Sequence, residues 1–572
     1  MAGARLARAL GIGVAVVLAI AVLYPTISVI RTAFLVDGQF STENIVSVFT
    51  DPATATMAWN TFVLTIGGAV LATVFGTGLA IITTLLPSGR LEQRLLQLAP
   101  LIPMTIPPLV GAVGWLLLLS PRAGWLNIAL RTMTGDQSGV GPISVYSMPV
   151  VVWVMGLYVV PYVYTIMAAS LSRLSTELLE GYQVCGCTAW GAVVRAIVGP
   201  LRPAFLAALA LAVVHSLSQF AVPLILEQDV LTTHMQREVA FLGNYGRAAA
   251  IALPLFVIAI VFTLLQIRLT RSSNRYATVT GRGGGVRELS FGPVKDRILK
   301  GTAYAYMVVA GVLPIAAIIA VSLLRYWSAS VDLDDISFAN YVGVATNAVV
   351  QRGAFNSLWL AVVCALAATF VALLVTVLVE RFGGPSSQLA YFFANLPLGI
   401  PLVLFGLAFL LAFIAPPIVL YGTIWILLLA YVVAFLPIAI RNVGPLFQQI
   451  SGDLEEAALV SGASRPQALR KVTVPLIMPG LAASGALLFV LIFREFPMAA
   501  FISTPRTNVI SMALLDFNET GRWPYVAVIA MFISLVSVIG IVTSNVIAGR
   551  FDLVRRTRRG SSAPVLPTLP QA

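Results

Sequence analysis

Apolar runs of about 20 residues recur along the whole of this 572-residue chain, and that is the length a hydrocarbon layer about 30 Å thick demands of a spanning helix. In such a layer each segment must satisfy its own backbone polar groups, so the runs read as helices. With 59% hydrophobic and 10% charged residues, the chain falls far below the roughly 25% charge of ordinary soluble proteins. The expectation is an all-α polytopic membrane protein of about twelve transmembrane helices. They fall at approximately 9–31, 61–86, 96–119, 148–171, 204–226, 248–268, 302–324, 355–379, 389–413, 418–440, 481–502 and 524–547. The first run, Leu10 to Ile30, is longer than the ~7–15 apolar residues of a signal peptide and reads as a retained span.

The net charge of +12 follows topology rather than a polyanionic partner. With both termini in the cytoplasm, alternation puts most basic residues on the inner side, among them Arg90, Arg94, Arg465, Arg470, Lys471 and the basic tail 551–572. Acids such as Asp37, Asp51, Glu227, Asp332 and Asp335 fall outside. This is the positive-inside bias, and it argues against a nucleic-acid partner. Three cysteines make no disulfide framework, and the Cys185-Gly186-Cys187 pair reads as small-residue filling rather than a metal site.

The chain is an internal repeat. An offset of 276 residues joins Glu180 to Glu456, Gly186 to Gly462, Pro161 to Pro437, Pro203 to Pro479, and Ser218-Gln219-Phe220 to Arg494-Glu495-Phe496. Further upstream the offset is 294, from Pro103 to Pro397 and Pro107 to Pro401, because the first half has a longer loop at 120–145. Equal numbers of spans in each copy make these two parallel six-helix repeats, with a pathway expected between them. The first half is 1–269 with its core from about 55, and 270–301 is a Gly-, Ser- and Arg-rich cytoplasmic linker. The second half is 302–550 with its core from about 350. The prolines of the third and ninth runs lack amide donors, so bent or broken helices are expected there.

Within 441–480 and 172–203 lie two unusually polar loops. In the loop 441–480, EEAALVSG offers helix formers with acids at the start, a glycine suited to a helix end, and then Ser464-Arg465-Pro466 as a restart. Helix, sharp turn, helix is the expected form. The spacing Glu456-Ala457-Ala458, Gly462, Val472 and Val474-Pro475 resembles the signature loop of permease subunits in ATP-binding-cassette importers. That resemblance implies a loop that docks on a separate ATPase subunit and transmits its closure. The first copy keeps Glu180 and Gly186, but Gly181 and Tyr182 replace the two alanines and the proline slips to Pro200. Looser or asymmetric docking is expected there.

Phrases such as SLSQFAVPLILEQDVLTTHMQREV and FREFPMAAFISTPRTNVISMALLDF are similar to fused two-domain permeases of the ferric-iron importer group. The resemblance implies a bacterial inner-membrane permease, two copies of an ATPase carrying ATP and Mg, and an extracytoplasmic substrate-binding protein. It implies ferric iron as cargo, with aminoethylphosphonate, thiamine, polyamine or an oxyanion as alternatives. The chain has no G-x-x-x-x-G-K-[ST] stretch, so it is expected to bind no cofactor and to hydrolyse no ATP itself.

Charges inside spans are costly enough to be functional candidates. Arg494 and Glu495, with Ser218 and Gln219 at the matching positions and His215 nearby, are candidates for a pathway or gate. The expected partner of Arg494 is Ser218 or Gln219, and the competing view is a structural tie. An ion-coupled secondary transporter would need titratable groups at mid-membrane, and apart from Glu495 and His215 the spans offer little.

Overall fold

The computed structural model describes residues 2–174, 176–273, 289–329, 333–448, 450 and 452–560. These residues are mostly helical; two short strands, Leu35–Val36 and Gln39–Phe40, pair antiparallel with Leu35 opposite Phe40. Among the described residues nine helices are long and apolar enough to cross a membrane, and three bent pairs raise the number to twelve. In chain order the spans are 1 (Arg8–Ala33), 2 (Pro52–Leu85), 3 (Arg90–Thr105 with Pro108–Leu119), 4 (Met148–Leu171), 5 (Ala189–Val198 with Arg202–Leu217) and 6 (Tyr245–Thr270). The second series is 7 (Pro293–Leu323), 8 (Ala348–Phe382), 9 (Pro385–Gly399 with Leu402–Phe413), 10 (Ile424–Gln448), 11 (Arg465–Phe493) and 12 (Trp523–Gly549).

Spans 3 and 9 are broken as expected, by 94° and 111°. The residue before a proline is pushed out of the helical region, and Ile106 and Ile400 both sit at ψ 119° just ahead of Pro107 and Pro401. Spans 5 and 11 differ from the expected 204–226 and 481–502. Their helices stop at Leu217 and Phe493, and short turns at Ala221–Ile225 and Ala499–Ile502 follow. Pro497 keeps Phe496 out of the helix in the second half. Ser218-Gln219 and Arg494-Glu495 therefore sit at helix ends, where side chains have freer directions than on a helix flank.

Each half lends its first span to the other. Span 1 packs against span 9 as well as span 6, and the Tyr24 hydroxyl donates to the Ala412 carbonyl at 3.0 Å. Span 7 packs against span 3 as well as span 12, and the Tyr306 hydroxyl donates to the Leu157 carbonyl at 3.0 Å. Small residues permit the close crossings: a Cβ on Gly114 would lie 2.6 Å from Pro314, and one on Gly76 would lie 2.7 Å from Val163.

The repeat reaches these first spans too. After span 1, Asn44 donates to the carbonyls of Ala33 and Leu35; after span 7, Asn340 donates to those of Ser322 and Leu324. Asp51 and Asn347 cap spans 2 and 8, accepting from the amides of Ala53 and of Val349 and Val350 respectively. Of the linker expected at 270–301, residues 274–288 lie outside the described residues, as do 561–572 of the tail; helix continues through Gly560.

Candidate functional site

At one end of the bundle the two polar loops form matched elbows. The first is a helix at Thr176–Val184, a turn, and the leading piece of span 5; the second is a helix at Gly452–Val460, a turn, and the start of span 11. Gly186 and Gly462 hold φ of +86° and +88°, a conformation that costs residues with a Cβ and suits glycine. The hydrogen bonds agree as closely. Cys187 N–H returns to the Tyr182 carbonyl and Ala463 N–H to the Ala458 carbonyl, both at 3.0 Å. This is the Schellman arrangement, which satisfies carbonyls that the helix end would leave open. Thr188 caps the restart by accepting from Gly191 N–H, and Ser464 N–H donates to Gln467. Cys185 is exposed at the first turn, and Cys187 accepts from Arg195.

The tips carry apolar side chains in the open: Val184 is 88% and Val460 is 90% exposed. Glu456, Ala457 and Gly462 are exposed, Ala458 and Glu180 half-buried. Beyond the turns the elbows diverge. The first breaks again before Arg202, by 73°, at Gly199, whose ψ of −107° lies outside the helical region just ahead of Pro200. In the second, proline stands one place earlier and the helix runs on without a break through Pro475 to Phe493. A π turn at Leu469–Thr473 directly before Val474-Pro475 accommodates the missing amide donor.

The second elbow is also anchored differently. Glu455 lies 2.8 Å from Arg381 Nε and accepts from the Thr473 hydroxyl, so it joins the π turn of span 8, Leu378–Phe382, to that of span 11. The Arg381 guanidinium also lies over the Phe447 ring, 5.6 Å from its centroid. At the matching place in the first elbow, 276 residues earlier, stands Leu179, which is buried in the apolar core.

The seam between the halves is closed beyond the ends of spans 5 and 11 by aromatic rings. Phe220 stacks on Phe496 at 5.5 Å and meets Phe501 at 6.0 Å, and all three are buried. Below this layer Arg494 donates to the Met104 carbonyl at 2.8 Å, bridging span 11 to the break in span 3. The partner is thus a backbone carbonyl of the other half rather than Ser218 or Gln219. Ser218 instead donates to the Val214 carbonyl in its own span, and Gln219 is half-buried. His215 stacks on Tyr162 at 3.8 Å. Glu495 is turned the other way: it is buried and accepts from the amides of Met498 and Ala499, capping the short turn Ala499–Ile502.

At the far end of the first half, Arg247 joins Asp51 to Glu238, and His234 Nε2 lies 3.3 Å from the same Glu238. Glu238 is buried, and the helix Leu231–Ala240 that carries it is thereby fastened to spans 2 and 6. The second half uses rings at this end, with Phe517 against Tyr525 at 5.3 Å and the Arg522 guanidinium over both.

Residues 72–275 and 368–552 match the family of binding-protein-dependent transport system inner membrane components. The chain belongs to this family. A protein named as a ferric transport system permease in Haemophilus influenzae is 23% identical over 511 residues, 88% of this chain and 78% of its own. Another so named, in Actinobacillus pleuropneumoniae, is 22% identical over 515 residues, covering 88% and 72%. A permease named for 2-aminoethylphosphonate transport in Salmonella typhi is 28% identical over 210 residues, 37% of this chain and 79% of its own. The protein is therefore a multi-pass inner-membrane permease subunit of an ATP-binding-cassette importer, whose family implies an ATPase and a substrate-binding protein as partners.

In this permease the sequence offered no signal for Arg381, Thr473, Met104 or Tyr162. Each acquires its role from a side chain or backbone group on another helix. Glu455 was visible only as an acid at a helix start, its tie to Arg381 being 74 residues distant.

Proposed function

We propose that this permease forms the translocation pathway between its two halves and is driven by two ATPase subunits, one gripping each elbow. The supporting observation is the pair of matched elbows, which present Val184 and Val460 at 88% and 90% exposure on rigid, glycine-turned supports. Large apolar tips left open at a polar end suit burial in a partner's groove. Both elbows and both termini face the cytoplasm, as the basic residues around them favour. The acid of the motif, Glu456, is exposed and meets the ATPase, while Glu455 holds the elbow to span 8. The chain itself binds no nucleotide; ATP and Mg belong to the ATPase.

Closure of the ATPase pair draws the elbows together and rocks the halves about the seam. Phe220 and Phe496 part, cargo enters from the docked binding protein, and the seam reopens inward. Because spans 1 and 7 lie on the opposite half, the halves stay tied while they rock. Ferric iron is the first reading of the cargo, supported by the relatives that match most of the chain; aminoethylphosphonate is the second, supported by the relative with higher identity over a shorter stretch.

The test is reconstitution in liposomes with the ATPase and the binding protein. Uptake should require hydrolysable ATP. Uptake driven by an ion gradient without the ATPase would overturn the proposal and favour secondary transport.

A further inference from the structure

Among the described residues, the seam holds a cation that no acid neutralises. Arg494 forms no ion pair among the described residues, and its hydrogen bond to Met104 uses one of the five donors of a guanidinium. The side chain is half-buried rather than sealed. Its sequence neighbour Glu495 is committed to the amides of Met498 and Ala499. Tyr162 stacks on His215, and both rings are half-buried. Among the described residues no cluster of three His, Cys, Asp or Glu is placed to hold a metal ion.

A bare trivalent cation on this route meets a positive charge just below the aromatic closure. An oxyanion meets a planar fork of free donors, the geometry a guanidinium recognises best. We propose that Arg494, held at the seam by the Met104 carbonyl, is a cargo-contact site for oxyanions. The cargo crosses the seam either as a phosphonate or as ferric iron inside an anionic carboxylate complex. This deepens the importer proposal and rests on it, but the site binds without the ATPase and is testable alone.

The full-length permease in lipid nanodiscs is treated with phenylglyoxal, which modifies accessible guanidinium groups, and modification of Arg494 is followed by peptide mass spectrometry. Parallel samples contain 2-aminoethylphosphonate, ferric citrate, or sodium chloride at equal ionic strength. One or both oxyanions should slow modification about tenfold, the scale of a charge-assisted contact, with chloride inert. Protection by the phosphonate alone identifies the free oxyanion as the source, and protection by ferric citrate alone identifies the complex. If neither protects beyond chloride, the proposal is overturned.

In cells carrying the whole transporter, Arg494→Ala should lower uptake about tenfold while binding-protein-stimulated ATP hydrolysis persists, and Arg494→Lys should fall less. Wild-type uptake in Arg494→Ala also overturns the site while leaving ATP-driven import intact. If the alanine variant fails to fold, Arg494→Lys and the protection assay on the unaltered protein still decide the matter.

Discussion

Arg381 and Glu455 lie 2.8 Å apart across the root of the second elbow, with their side chains 26% and 17% exposed. The pair fastens the elbow to span 8 at two π turns, so a force on the elbow reaches the span without passing through a flexible loop. Removing one partner leaves the other half-buried without its counter-charge, at a cost of about 1–3 kcal/mol. Glu455→Ala and Arg381→Ala should each lower cargo uptake several-fold while ATP hydrolysis continues, and the double variant should be little worse than either single one. A double-mutant cycle on uptake and ATPase rates measures this; additive losses would show that the two residues act separately.

Glu456 faces solvent beside Glu455, so its substitution touches no internal contact. Glu456→Lys should abolish co-purification with the ATPase and cargo uptake, with membrane insertion and thermal stability unchanged. Glu180→Lys in the first elbow should weaken uptake less, because that elbow is bent again before Arg202. Quantitative pull-down in mild detergent separates the two, and equal losses would argue that the elbows are interchangeable.

Gly186 and Gly462 both need positive φ, and neither has an atom within 4 Å of a built Cβ. The penalty of a side chain is therefore backbone strain alone, about 1–2 kcal/mol. Gly462→Ala should loosen the second elbow by that amount, and Gly462→Asn, which tolerates the left-handed region better, should recover part of it. Hydrogen exchange at the amides of Gly462 and Ala463 is the readout; unchanged protection in the alanine variant would refute the strain argument.

The far-end cluster of the first half predicts a pH dependence. Burial lowers the pKa of His234 from 6.5, outweighing the pull of Glu238, so the folded state disfavours the protonated ring. Stability from this group is present above 6.5 and is lost as pH falls below it. Asp51 is held below its ordinary 3.8 chiefly by the Ala53 amide, so its contribution persists to lower pH and disappears only as pH drops through that depressed value. Both act in the same direction: acid loosens the fastening of helix Leu231–Ala240. Melting temperature in nanodiscs should fall from about pH 7 to about pH 5, and His234→Gln should flatten that slope. An unchanged slope would exclude His234 as its source.

What the sequence by itself determined are the features written in local chemistry. Long apolar runs demand spans, Pro107 and Pro401 demand breaks, and Gly186 and Gly462 demand turns, each through forces acting within a few residues. The repeat also lay open, because equal offsets preserve those local signals in both halves. Tertiary structure alone decided which half each first span lies on, that Arg494 reaches a carbonyl 390 residues away, and that the acid fixed at the elbow root is Glu455 rather than Glu456. Those outcomes depend on how helices cross, and crossings are chosen by side chains remote in sequence. In a bilayer the hydrophobic effect drives every apolar run into the membrane alike, so it leaves the pairing of spans to close packing and a few polar ties.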